Sequence, residues 1–428
     1  MVDPWERYRE RTPESKRLAD RATSVLPGGD TRSVTHYRPY PSYVTDAEGP
    51  YLHTVDDERL VDFLNNYTQA VLGHAPDPVV EAACDRIRRG NGIAAPTEAI
   101  VDLAERVVDR TPSIDAVRFA NSGTEATMNA IRAAMADTGN ERVLKVEGGY
   151  HGTHDTVEVA VGDEGVASGV PADVRDRVDA VAYNDVEALK ARFAERGDDY
   201  ACFVVEPVMG VGGMIPAERE YLETARDLTA ESNTALVFDE VMTYRLAPGG
   251  AQEAYGVTPD LTALGKLIGG GLPVGGFGGD AAIMRQFHPT EGDLNHSGTF
   301  NGNPATMAAG AATLDRLDAD TIDRLNARGE RLRERLAAVA ADASVPMTVT
   351  GKGSLFQFHF TDGPVTDADT SGAGGPLAEE LFVRLRNEGL VVAPRGMGNL
   401  STPMDDDHLD ALVDGVAAAL SAMDHPSE

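Results

Sequence analysis

The sequence predicts an α/β fold: a large, mostly parallel sheet with helices on both faces, and a smaller α+β body built from both chain ends. Three observations predict it. From residue 115 onward, short apolar runs alternate with amphipathic helical stretches, the rhythm of strands joined by helical crossovers. Two of those runs, Val204-Val205-Glu206-Pro207 and Val237-Phe238-Asp239-Glu240, end in acidic residues, and in open α/β sheets sites gather at the carboxyl ends of strands. With 428 residues and 42% hydrophobic composition, the chain can bury a sizeable core and exceeds one ordinary domain. The expected division assigns 61–304 to the large body, and 1–60 together with 305–428 to the small one.

The elements follow in order. Residues 4–24 read as one amphipathic helix, ended by Leu26-Pro27-Gly28-Gly29. Segments 42–47 and 51–55 read as strands about the turn Glu48-Gly49-Pro50, and residues 55–64 as strand, acidic turn, strand. Helices are expected over 77–90 and 97–111. Then come strand 117–120, helix 123–137, strand 142–146, strand 201–205, helix 218–232 and strand 235–238. Helices over 305–317 and 320–343 precede strand-like runs at 347–350 and 354–360. The stretch 362–376, DGPVTDADTSGAGGP, has the composition of a disordered loop. Helix 377–389, strand 390–393 and helix 406–423 close the chain.

Composition narrows the function. The formal net charge is −31, from 69 acidic against 38 basic residues, so nucleic acid and anionic membranes are poor partners. The acids are spread along the chain, which reads as a salt-adapted surface; an ordinary acidic protein is the alternative. Cys84 and Cys202 are the only cysteines, too few for a zinc cluster or a disulfide framework, and no metal is expected. The charged start MVDPWERYRERTPESKR lacks an apolar leader segment, and a cytoplasmic setting is the expectation.

The chemistry centres on Lys266, one of only five lysines (16, 145, 190, 266 and 352), which stands between an apolar segment and a glycine cluster in DLTALGKLIGGGLPVGG. Asp239 ends an apolar run 27 residues earlier. A lysine in an apolar, glycine-rich loop and a carboxylate at a strand end suggest pyridoxal phosphate: the lysine would form the Schiff base and the Asp would pair with the protonated pyridine nitrogen. A snorkelling lysine and a helix-capping Asp are the alternatives. A Walker A loop is excluded because Asp260 stands where its first glycine belongs. Asn121-Ser122-Gly123-Thr124 joins a strand to a helix and could bring backbone N–H groups to a phosphate, or be a plain N-cap. In Glu147-Gly148-Gly149-Tyr150-His151-Gly152 a ring could cover a flat cofactor, or Tyr150 could pack in the core. Thr299, in His296-Ser297-Gly298-Thr299, could reach a phosphate or belong to a structural turn.

In this order these motifs resemble the class III aminotransferases of pyridoxal phosphate fold type I, over nearly the whole chain. VEPVMGVGG, LVFDEVMTYRLAPGG, PDLTALGKLIGGGLPVGGFGG and HSGTFNGNP look most like the branch containing glutamate-1-semialdehyde aminomutase. PGGDTRSVTHYRPYP (27–41) and VAPRGMGNLSTPM (392–404) look closer to β-amino-acid (β-phenylalanine) aminotransferases. The resemblance implies that Lys266 is the Schiff-base lysine and Asp239 the pyridine partner. It implies a phosphate cup of Ser122, Gly123 and Thr124, with Tyr150 stacked on the ring beside His151, Val241 on the opposite face, and Glu206 at the cofactor. It further implies a homodimer in which Thr299 serves the neighbouring subunit. Arg32 matches an arginine that takes the substrate carboxylate, Tyr67 an aromatic wall, and Arg395 a second arginine that, in the β-amino-acid enzymes, receives the α-carboxylate of glutamate or 2-oxoglutarate. Surface ion pairs are the alternative for either arginine.

Two departures bear on the branch. Met209 replaces a glutamine common in class III transaminases, and Val211 stands where the aminomutase is polar. Arg395 and Tyr67 also differ from the aminomutase pattern. The expected function is therefore amino transfer from an amino acid, a β-amino acid by the loop resemblance, to a keto acid such as 2-oxoglutarate. Glutamate-1-semialdehyde aminomutase is the alternative, and a non-catalytic protein on the same fold a more distant one.

Overall fold

The computed structural model describes residues 3–161 and 168–423. Its seven-stranded sheet runs in the spatial order Ala116–Ala120, Gly275–Gly279, Leu261–Gly265, Ala235–Asp239, Tyr200–Val205, Arg142–Val146, Val178–Val181. The strands from Leu261–Gly265 to Val178–Val181 pair in parallel. Gly275–Gly279 is antiparallel to both of its neighbours. Tyr200–Val205 and Ala235–Asp239 are buried at every residue, which is why they read as unbroken apolar runs rather than alternating ones.

Helix Gly123–Thr138 shows how the sequence builds one face of this sheet. Ser122 accepts a hydrogen bond from Glu125 N at 3.1 Å and starts the helix, and Gly139, at φ 74°, ends it in the left-handed cap that glycine adopts freely. Ala126, Ala130, Ala133 and Ala134 face the sheet, where they pack with Val143, Cys202, Val237 and Phe277. Small side chains bring the helix close. Gly275 brings the backbones closer still, since a Cβ there would collide with the Ser122 carbonyl. The fully buried Phe277, with its ring 5.1 Å from that of Phe287, fills the space left beside the glycines.

Two smaller sheets join the chain ends. Val44–Glu48, Tyr51–Thr54 and Arg59–Asp62 form an antiparallel meander, and Leu390–Val391 adds to it in parallel. Thr348–Thr350, Leu355–His359 and Met397–Asn399 form an antiparallel three-stranded sheet. Strand Arg59–Asp62 lies across the expected boundary at 60/61, and helix Pro304–Leu314 packs on helices Asp77–Arg89 and Glu98–Arg110.

Several expectations need correction. The 4–24 helix is two helices, Pro4–Arg11 and Pro13–Thr23, because Pro13 begins a new helix after Thr12. Strands Val178–Val181, Leu261–Gly265 and Gly275–Gly279 and helix Val186–Arg196 were not foreseen. The stretch 362–376 is ordered: Asp367 Oδ1 accepts from Thr370 N at 2.8 Å, and Asn184 Nδ2 donates to Thr366 O at 3.0 Å. Among the described residues no helix is long and apolar enough to cross a membrane.

Candidate active site

The carboxyl ends of the parallel strands open on one cavity of about 380 Å³. Lys266 follows strand Leu261–Gly265 directly, and Asp239 ends the neighbouring parallel strand, paired in register with Ala263. Glu206 follows strand Tyr200–Val205, and the Tyr150–His151 loop follows Arg142–Val146. Sheet order therefore gathers residues that are far apart in sequence.

Asp239 is held from both sides. Val241 N donates to its Oδ1 at 3.0 Å, and His151 Nδ1 donates to its Oδ2 at 2.9 Å. The buried Nε2 of His151 has no hydrogen-bond partner. Lys266 is partly exposed, toward the cavity it lines, and its backbone is left-handed at φ 50°, a conformation that costs a non-glycine residue roughly 1 kcal/mol or more. Desolvation pulls its amine pKa below the ordinary lysine value; the charges of Asp239 and Glu206 oppose that shift, and Arg32 adds to it. A larger share of free amine near neutral pH follows.

Glu206 is buried. Desolvation lifts its pKa to about 6, opposed by His151 and reinforced by Asp239. Its oxygens accept from Tyr150 N and Gly210 N, each at 3.0 Å, so it fastens the backbone of the tyrosine loop. Lys145 fastens the same loop. Fully buried, it donates to the carbonyls of Gly149 (2.9 Å), Val157 (3.2 Å) and Val159 (2.7 Å), and burial lowers its pKa to about 8. Sequence reading passed over Lys145; its one signal was a lysine inside the apolar run VLKV.

Arg32, Tyr67, Gly123, Thr124, Tyr150, His151, Glu206, Asp239, Val241 and Lys266 all line this cavity. Three other expected residues do not. Ser122 spends its hydroxyl on the N-cap. Thr299 is exposed. Arg395 lines an adjoining space of about 300 Å³ with Tyr67, Val211, Gln357 and Met397. Tyr67 thus forms a wall of both spaces. Asn66, Gln69, Asn121 and Leu272 also line the main cavity and were missed, although each lies within or beside a motif already singled out. Among the described residues no cluster of His, Cys, Asp or Glu could hold a metal ion.

These residues fit pyridoxal phosphate. Lys266 offers an amine of lowered pKa, Asp239 a fixed buried carboxylate, and Gly123 and Thr124 the positive end of a 16-residue helix. A Cβ at Gly123 would press on Val241 at 3.1 Å, so glycine keeps the cup open beside that side chain.

Comparison with known proteins agrees. Residues 33–420 match the family model described as Aminotransferase class-III. The chain is 40% identical over 418 residues to a glutamate-1-semialdehyde 2,1-aminomutase of Methanothermobacter thermautotrophicus, covering 96% of this chain and 99% of that one. It is 37% identical to the beta-phenylalanine transaminase of Variovorax paradoxus, covering 98% and 95%. Among solved structures, an omega-transaminase from Sphaerobacter thermophilus superposes with a TM-score of 0.92 at 39% identity, covering 97% and 98%.

Proposed function

The chain belongs to the class III aminotransferases, pyridoxal phosphate enzymes, and from that premise we propose that it moves the amino group of a β-amino acid to a keto acid such as 2-oxoglutarate. One observation carries the substrate class: two arginines stand on either side of one tyrosine. Arg32 and Tyr67 line the main cavity, while Arg395 and Tyr67 line the adjoining one. Burial raises the Tyr67 pKa and both guanidinium charges oppose that rise, so both act on the same hydroxyl. A β-amino donor needs one carboxylate site, and a dicarboxylate acceptor needs a second.

Pyridoxal phosphate, when bound, supplies an aldehyde that condenses with amines and a ring that accepts the electron pair released at the substrate carbon. The chain's residues do the rest. Lys266 would hold the cofactor covalently, and its free Nζ would carry a proton to and from the amino-bearing carbon, a role its lowered pKa suits. Asp239 would keep the pyridine nitrogen protonated, and His151 fixes that carboxylate. Gly123 and Thr124, at the helix N-terminus, would hold the phosphate, and Tyr150 and Val241, which line the same cavity, would flank the ring. Arg32 takes the donor carboxylate. In a homodimer, Thr299 would reach the neighbouring subunit's phosphate, which is consistent with its exposure. The division into 61–304 and the two chain ends stands as part of this reading; the seven-stranded sheet, drawn wholly from 116–279, supports it.

The aminomutase reading rests on the 40% identity above and keeps the nitrogen on one carbon skeleton. A panel of amino donors with 2-oxoglutarate and pyruvate separates the two. Release of a keto acid from a β-amino acid supports transamination; turnover of the semialdehyde alone overturns it. Arg395→Ala should then weaken 2-oxoglutarate about tenfold or more and spare the β-amino donor, whose carboxylate is assigned to Arg32.

A further inference from the structure

Arg245 is among the largest fully buried side chains, and the acceptors that meet it are all uncharged. Its Nε donates to Ser354 Oγ at 3.0 Å. One terminal nitrogen donates to Asn399 Oδ1 at 2.8 Å and Thr68 O at 3.3 Å, and the other donates to Leu400 O. Among the described residues it forms no ion pair with a carboxylate. An uncompensated buried cation is costly, and an apolar side chain of similar volume would avoid that cost. What the guanidinium does that an apolar group cannot is tie three separate segments together.

One of those segments is unusual. Asn65, Asn66, Tyr67 and Thr68 are consecutive residues with φ of 47°, 47°, 55° and 79°, all in the left-handed region. No glycine eases the turn, so its surroundings must impose it. Asp62 Oδ1 accepts from Leu64 N at 2.9 Å and Asn65 N at 3.1 Å. Asn65 Nδ2 donates to Asn399 O at 2.9 Å, and Asn399 Nδ2 to Leu64 O at 2.8 Å. Arg245 closes the far end at Thr68. The turn presents two side chains to Arg32: Asn66 Oδ1 accepts from its guanidinium at 2.8 Å, and the Tyr67 ring lies 5.2 Å away. Asn399 also ends the strand that begins two residues after Arg395.

We propose that Arg245 is a positioning residue for carboxylate recognition, acting on Arg32 through the left-handed turn and Asn66. This rests on the reading of Arg32 as the donor-carboxylate site. The relay needs no contact between Arg245 and substrate. It makes Asn66, whose side chain directly orients Arg32, the specificity-determining end.

The test uses holoenzyme and two donors, 3-amino-3-phenylpropanoate and 1-phenylethylamine, which lacks the carboxylate. KM, kcat and cofactor affinity are measured for Arg245→Lys and Asn66→Gly; glycine keeps the left-handed backbone and removes only the side chain. Each variant is expected to raise the ratio of KM for the carboxylate-bearing donor to KM for the amine donor about tenfold. The double variant should be no worse than the worse single one, because both act on one relay. Equal losses for both donors, or additive losses, overturn the proposal. If Arg245→Lys does not fold, Ser354→Ala removes one acceptor of the guanidinium: a selective rise of about threefold supports the relay, and no selectivity overturns it. Arg32→Ala separates the two layers. If it leaves donor preference unchanged, the carboxylate reading itself is wrong. If it erases the preference while Arg245→Lys and Asn66→Gly do not, only the relay fails.

Discussion

His151 Nδ1 lies 2.9 Å from Asp239 Oδ2, and the two side chains are 0% and 5% exposed. A buried carboxylate held by a ring N–H and by the backbone N–H of Val241 cannot swing away from the cavity. Its charge is then fixed in place, the condition under which an electrostatic contribution is largest.

Asp239→Asn keeps the shape and removes the charge. Turnover should fall on the order of a hundredfold or more, with the holoprotein still folded. His151→Ala should cost less, because Val241 N still holds one carboxylate oxygen. Steady-state rates with a saturating donor check both; a loss for His151→Ala equal to that for Asp239→Asn would mean that the histidine acts directly.

The pH profile follows from the charges around Lys266. In the proposed role its free amine is the active form, so kcat should rise with pH along a limb whose midpoint lies below the ordinary lysine value of 10.5, the direction that desolvation sets. Glu206 raises the lysine pKa by its charge. Glu206→Gln removes that charge and should move the limb to lower pH. A limb that stays still or moves up would show that Glu206 is not felt at Lys266.

Gly275→Ala tests the close approach of sheet and helix. The added Cβ collides with the Ser122 carbonyl, so the start of helix Gly123–Thr138 must shift. Overpacking of this kind costs about 1–3 kcal/mol, and at the proposed phosphate cup that corresponds to roughly 5- to 150-fold weaker cofactor binding. Titration of apoprotein with pyridoxal phosphate measures it. Unchanged affinity would place the phosphate elsewhere.

Much of the site was legible because its chemistry sits at the ends of apolar runs. Asp239 and Lys266 announce themselves by interrupting such runs, and the sheet then brings them together. Gly275–Gly279 was not legible as a strand, since four glycines carry no strand preference; the backbones packed against them impose it. The left-handed turn at Asn65–Thr68 was hidden for a related reason. Asn65 and Asn66 tolerate that conformation singly, but Tyr67 and Thr68 do not favour it and a run of four is not signalled by composition; its supports, Arg245 and Asn399, lie 177 and 334 residues away. The break at Pro13 was readable, but the amphipathic pattern running through it concealed it.

Salt should stabilise this protein. At a formal charge of −31, from 69 acidic against 38 basic residues, the summed self-repulsion disfavours the compact state. Surface ion pairs such as Lys16–Asp20 and Arg331–Asp406 act in the opposite sense, but each contributes no more than about 1 kcal/mol and salt removes little when it screens them. Raising potassium chloride from about 0.1 M to about 1 M shortens the screening length from about 10 Å to about 3 Å, less than the usual spacing of surface charges. The repulsive sum then shrinks more than the attractive pairs do. The thermal midpoint should rise with salt, most steeply at the low end. Two half-neutralised controls, in which surface Asp and Glu side chains far from the cavity are replaced by Asn and Gln, should show a flatter dependence. A midpoint that falls with salt in the parent chain would mean that the ion pairs outweigh the net charge.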